Sequence, residues 1–154
     1  MIGGMTRALV AVGALLAIAF VILGVVVFTT REEDRITADN QLAESLTRAI
    51  QLSEEQSGGE VDLRRVADFP WDRVLVLAPG TPRDAVSAAL GSTYNGTLPF
   101  GSLGQVFVFA RGSEIARLAD YRGRGTFTGF QRPLDVLPRN RAVLQVRNLV
   151  VSPS

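Results

Sequence analysis

FPWDRVLVLAPGTPRDAVSAALG occupies residues 69–91 of a 154-residue chain. Pro70 favours an extended backbone at Phe69. Trp71, the single Trp of the chain, is a large apolar payload whose indole N–H needs an acceptor once buried. Asp72 is placed to cap a local turn or to pair with an Arg. The run 73–78, RVLVLA, then alternates as a strand, with Val74 and Val76 on one face and Leu75 and Leu77 on the other. Both faces are apolar, so the strand is expected at the centre of a sheet covered on both sides.

Pro79-Gly80-Thr81-Pro82 cannot continue a strand and reads as a turn. Thr81 is expected as the N-cap of a helix, with Pro82 at its first position and Asp84 at its positive end. Ala85, Val86, Ala89 and Leu90 supply the buried side, and Gly91 stops the helix. Phe69, Trp71, Asp72, Pro79 and Gly91 are thus expected to do structural work.

Downstream, residues 91–104 form a Gly-rich polar loop. The run 105–110, QVFVFA, is a second strong strand. Arg111-Gly112-Ser113 turns it into a partner strand over 114–118 or beyond, making a hairpin. Residues 122–133, RGRGTFTGFQRP, read as a flexible basic loop, and 142–151 as a last strand. Upstream, 60–66 alternates roughly and reads as a strand. Residues 32–56 read as a helix, with Leu42, Leu46, Ala49 and Ile50 in one stripe and Ser57-Gly58-Gly59 as its stop. That helix either packs on the domain or forms a short stalk for a partner helix. The whole describes an α+β domain with a mainly antiparallel sheet and helices on one face.

The N-terminus belongs to another environment. Residues 8–28, ALVAVGALLAIAFVILGVVVF, carry no charge. At about 1.5 Å per residue they reach about 31 Å, close to the hydrocarbon thickness of a bilayer. Ala17-Ile18-Ala19 resembles a signal-peptidase site, but the apolar run continues unbroken through Phe28. An uncleaved single-pass helix is the expectation, and cleavage the alternative. The short N-terminal tail points to an N-in, C-out orientation. The expected organisation is a transmembrane anchor at 1–30, a juxtamembrane acidic amphipathic helix at 31–59, and a small α+β domain at 60–154.

Composition narrows the chemistry. There is no Cys and no His, and all 16 basic residues are Arg. Disulfides, thiolate sites, imidazole ligands and His bases are excluded for this chain, and no cofactor or metal is expected. The absence of Lys fits the codon bias of a GC-rich genome. The net charge of +1 hides a split. Residues 31–60 carry a balance of −5 and residues 111–154 a balance of +5. This split means either an internal electrostatic fit or a basic face for an anionic partner.

Phe69, Trp71, Asp72, Val74, Val76 and Pro79, followed by Leu90-Gly91, spell F-x-W-D-x-V-x-V-x-x-P and a helix ending in L-G. This resembles a poorly characterised family of small bacterial proteins that are membrane-anchored or lipoprotein-like. The likeness covers about residues 60–120, and Gly80 stands where that family has an aromatic residue. It implies a membrane-tethered domain and no particular activity. The order helix, L-G, β-hairpin is also similar, at the level of fold, to small periplasmic α+β inhibitors and assembly lipoproteins.

Asp68 and Asp72 could be read as an acid–base pair, but a Pro lies between them, and cap or ion-pair roles suit them better. No Ser has a His or Lys to activate it, and 101–104 is not a phosphate loop. No enzyme is expected. The basic segment is the one functional candidate: Arg111, Arg122, Arg124 and Arg132 with Phe127 and Phe130. Arg117, Arg139, Arg141 and Tyr121 lie in the same region. Such residues grip anionic headgroups or polymers, unless they are solvated charges bonded to the acidic helix. The expectation is a membrane-anchored, extracytoplasmic binding or assembly module that engages an envelope protein. The alternative is a domain that binds anionic lipid or wall polymer; nucleic acid is not expected.

Overall fold

The two-sided strand sets the layers. The structure is a computed structural model that describes residues 38–56, 58–98 and 104–154. In chain order its elements are helix α1 (Asn40–Glu55), strand β1 (Gly59–Asp62), a helical turn α2 (Leu63–Val66), strand β2 (Arg73–Leu77) and helix α3 (Arg83–Leu90). Strands β3 (Val106–Arg111), β4 (Glu114–Asp120), β5 (Thr126–Phe127) and β6 (Leu134–Pro138) follow. A 3₁₀ turn (Arg139–Arg141) then leads to β7 (Val143–Arg147) and β8 (Val150–Pro153). The fold is α+β and mainly antiparallel.

The strands form two sheets rather than one, ordered β4-β3-β2-β6 and β1-β7-β8-β5. Every pairing is antiparallel except β5 with β8. In the first sheet Val74, Val76, Phe107 and Phe109 share one core cluster with Leu42, Leu46 and Ile50 of α1 and with Val61, Leu144, Val146 and Val151 of the second sheet. Leu75, Leu77, Val106 and Val108 point the other way, into a cluster with Val86 and Leu90 of α3, Tyr94 and Leu98. The expectation of helices on one face is therefore corrected. Apolar residues on both faces of β2 and β3 need a cover on each side, and α1 and α3 supply opposite ones.

Helix α1 begins at Asn40. The Asp39 carboxylate accepts from the Leu42 N–H at 3.0 Å, and the Asp39 N–H donates to the Leu118 carbonyl of β4 at 2.7 Å. Leu42, Ala43, Leu46 and Ile50 are buried, so this helix packs on the domain, and it shares one core with both sheets across residue 60. The described residues fall in one compact unit. The span expected at residues 8–28 lies outside the described residues, as do the start of the long helix at 32 and residues 99–103 of the Gly-rich loop. Among the described residues no helix is long and apolar enough to cross a membrane.

Several local expectations change for identifiable reasons. The strand expected over 60–66 ends at Asp62, whose carboxylate accepts from the Arg64 N–H and starts α2. Thr81 is not an N-cap. Its buried hydroxyl lies 2.6 Å from the Ala78 carbonyl and 2.7 Å from that of Pro133, tying the turn to the start of β6. Pro82 takes the cap position. Strand β6 escapes notice in the sequence because it follows Pro133 and ends on Pro138, tolerated here at a sheet edge. The last strand is a hairpin, β7–β8, turning through Asn148 and Leu149, both at positive φ (52° and 59°). This is the pattern of a type I′ turn, with Leu where Gly is usual.

The FPWD motif fastens these layers. Trp71 is buried, donates from its indole nitrogen to the Ala67 carbonyl at 3.2 Å, and packs edge-on against Phe109 at 5.2 Å. Phe69 meets the same Phe109 ring edge-on at 5.5 Å. The Asp72 carboxylate accepts from the Gly112 N–H in the β3–β4 turn and pairs with Arg73 at 3.0 Å. Arg139 stacks on the Trp71 ring at 4.9 Å and donates to the Trp71 carbonyl at 3.0 Å. The Pro79-Gly80 turn is closed by the Thr81 N–H on the Ala78 carbonyl at 3.1 Å, with Gly80 at φ 81°. That geometry is a type II turn, where a side chain at Gly80 would be strained. Gly91, at φ 74°, ends α3 as expected.

Trp71→Ala should cost about 3–5 kcal/mol, as large-to-small changes in a packed core do. Asp72→Ala should cost about 1 kcal/mol, because the Gly112 N–H it frees is exposed to water. Thermal unfolding followed by circular dichroism checks both, and the order of the two costs is the result that matters.

Candidate functional site

The structure separates the seven Arg residues that the sequence groups in its last third. Arg111 sits at the β3–β4 turn, whereas Arg122 and Arg132 lie with Gln105 at the opposite end of β3. At about 3.3 Å per residue those ends are roughly 20 Å apart. Arg117 pairs with Asp39 at 2.6 Å and stacks on Phe69 at 4.7 Å. Arg139 belongs to Trp71. The basic third is therefore partly consumed by an internal fit to the start of α1.

Arg122 takes part in that fit too. Its guanidinium bonds both oxygens of the Asp120 carboxylate at 2.8 and 3.0 Å, and Asn40 of α1 at 3.0 Å. The bond to Asp120 holds the guanidinium above its ordinary pKa. Asp120 is buried, so Arg122 serves first as the counter-charge of a buried carboxylate.

The aromatics are structural. Phe127 packs edge-on against Tyr121 at 5.2 Å and Phe107 at 6.0 Å, and lies tilted 5.9 Å from Phe130. The 122–133 segment is thus fastened to the core instead of hanging as a basic loop, with β5 paired to β8. The Tyr121 hydroxyl donates to the Arg124 carbonyl at 2.7 Å. Gly123 crosses the Tyr121 ring so closely that a Cβ there would overlap the phenol oxygen.

Concavities flank this segment on several sides. One, of about 470 Å³, is lined by Arg122, Arg132, Gln105, Thr126 and Phe127 among others. Arg132 is exposed and makes no ion pair among the described residues. Phe130 and Arg132 also line a smaller hollow of about 190 Å³. Another groove, of about 440 Å³, runs between the C-terminal half of α1 and the β7–β8 hairpin. Ile50, Val146 and Val151 give it an apolar lining, with Gln51, Glu54, Glu55, Arg124 and Leu149 around them. Sequence reading brought Arg124 forward but missed this groove. Its residues come from three distant segments, and only the apolar stripe of α1 hinted at one of them.

The chain matches no protein-family model, no curated protein and no solved structure.

The acid response of the fold follows from Asp39. The Leu42 N–H, then the Arg117 guanidinium, hold its carboxyl below the ordinary value of 3.8. A depressed folded pKa contributes stability above the unfolded pKa and loses it as pH falls through the folded one. Asp39→Asn should therefore destabilise the domain at neutral pH, by about 1 kcal/mol or less. The difference from wild type should shrink below pH 3.8 and vanish once Asp39 is protonated in both states. Thermal melts across that range check the sign.

Proposed function

We propose that the chain is a membrane-anchored, non-enzymatic binding or assembly module held outside the cytoplasm, and that its partner is an envelope protein. The observation that carries this reading is the uncharged run of residues 8–28, long enough to span a bilayer as a helix. It would hold a small domain at the surface of the bacterial cytoplasmic membrane. The resemblance of the FPWD segment to membrane-anchored or lipoprotein-like bacterial proteins supports the same setting. Within the domain, the side chains that suggested chemistry have structural partners: Asp72 caps a turn and Arg122 neutralises Asp120. What is left outward is surface suited to contact, including Leu149 and Val150 at the hairpin tip, 47% and 39% exposed.

A second reading, binding of anionic lipid or wall polymer, is favoured by Arg132 and Arg122 around the 470 Å³ cleft. Phosphate or carboxylate oxygens would suit such guanidinium groups. The double variant Arg122→Ala, Arg132→Ala separates the two readings.

On the first reading the full chain stays in the membrane pellet after alkaline extraction, and cross-linking in intact cells joins wild type and double variant alike to the same envelope protein. A mature terminus near residue 20 or 31 would contradict the anchor. Salt-sensitive binding to anionic vesicles that the double variant loses would favour the second reading.

A further inference from the structure

The groove between α1 and the β7–β8 hairpin has features the readings above do not use. Ile50, Val146 and Val151, all but fully buried, form its apolar floor, and Gln51, Glu54, Glu55 and Arg124 its polar rim. Leu149 stands in the same groove, 47% exposed, and its φ of 59° belongs to a region that L side chains rarely adopt. The type I′ turn thereby presents an apolar knob beside an apolar hollow. Glu54 and Glu55 come from α1 and Arg124 from the loop before β5. No ion pair joins them among the described residues. The Glu54 Oε2 atom is buried and has no hydrogen-bond partner among the described residues. A carboxylate oxygen removed from water in this way is costly until a donor reaches it.

We propose that this face is a two-fold contact between two copies of the chain. Each copy seats Leu149 in the other's groove and brings Arg124 to the other's Glu54 and Glu55. A two-fold interface needs a self-complementary patch, because the same surface faces itself. Here knob and hollow, anion and cation, all lie in one groove. A lipid surface is a poor occupant, since Glu54 and Glu55 repel anionic headgroups and Leu149 alone gives little apolar area to insert. The proposal stands apart from the anchor and from the identity of any envelope partner.

The symmetry gives the test its logic. The variant Glu54→Arg, Glu55→Arg places like charges against each other twice in its own homodimer, and so does Arg124→Glu. In a mixed pair both contacts join opposite charges. Sedimentation equilibrium of the purified full chain in density-matched detergent micelles reads the outcome, with circular dichroism to show that each variant is folded.

The expected result is a wild-type dimer at micromolar concentration. Each charge reversal alone should weaken it roughly tenfold or more, and the equimolar mixture of the two variants should restore it. Leu149→Asp should abolish the dimer in every combination. A wild-type chain that stays monomeric overturns the proposal and leaves the groove to a segment of a different protein. A mixture no more associated than its components overturns it equally, since Arg124 would then not meet Glu54 and Glu55 of the other copy.

Discussion

The packing of Trp71 on Phe109, with Asp72 holding the Gly112 N–H, is the junction on which the other connections depend. Strand β2 enters the first sheet directly after these residues. The Trp71 ring closes one end of the core against Phe109 of β3, and its indole N–H reaches back to Ala67, at the end of α2. Arg139 covers the outer side of the ring, and its own N–H donates to the Asp72 carbonyl at 2.8 Å. Four residues of sequence thus gather the β3–β4 hairpin, the end of α2 and the exit of β6. Such a junction fixes register as well as energy. In β2 the residues Val74 to Leu77 alternate between two apolar layers, and a one-residue slip would exchange them.

The second constraint is electrostatic and lies at the start of α1. The Asp39 carboxylate caps the helix and binds Arg117, and Arg122 bridges Asp120 to Asn40. These bonds place the acidic helix against Arg117 of strand β4 and Arg122 just beyond its end. The opposing charge balances of the two ends of the domain are in part this fit. Arg117 and Arg122 stay partly exposed, so each ion pair is worth little by itself. Their effect is to orient a helix whose adhesion comes from Leu42, Leu46 and Ile50.

Much of the fold could be read from residues. The two apolar faces of 73–77 announced a doubly covered strand. The Pro-Gly turn, the helix stop at Gly91 and the 105–118 hairpin carried local signals strong enough to survive tertiary context. What could not be read had weak or shared signals. Strand β6 is five residues that follow one proline and end on another, with an Asp at the second position, and nothing in it alternates cleanly. The β7–β8 turn uses Asn-Leu where Asn-Gly would have been recognised, so two strands looked like one. Thr81 has the chemistry of an N-cap, yet Pro133, 52 positions away in sequence, competes for its hydroxyl. The candidate site was less legible still. A list of Arg residues in sequence order says nothing of which carry buried counter-charges, and Glu54, Arg124 and Leu149 meet only because the second sheet brings a loop and a hairpin beside α1.

α1 and both sheets form one cooperative core fastened at Trp71 and Asp72. Native-state hydrogen exchange of the full chain reads that cooperativity residue by residue. Amides of Leu46 and Ile50 in α1 and of Val74 and Val76 in β2 should share one high protection free energy, and lose it together when Trp71 is truncated. An α1 whose amides exchange freely while β2 and β3 stay protected would contradict it, and the helix would then be a stalk beside the domain rather than a part of it.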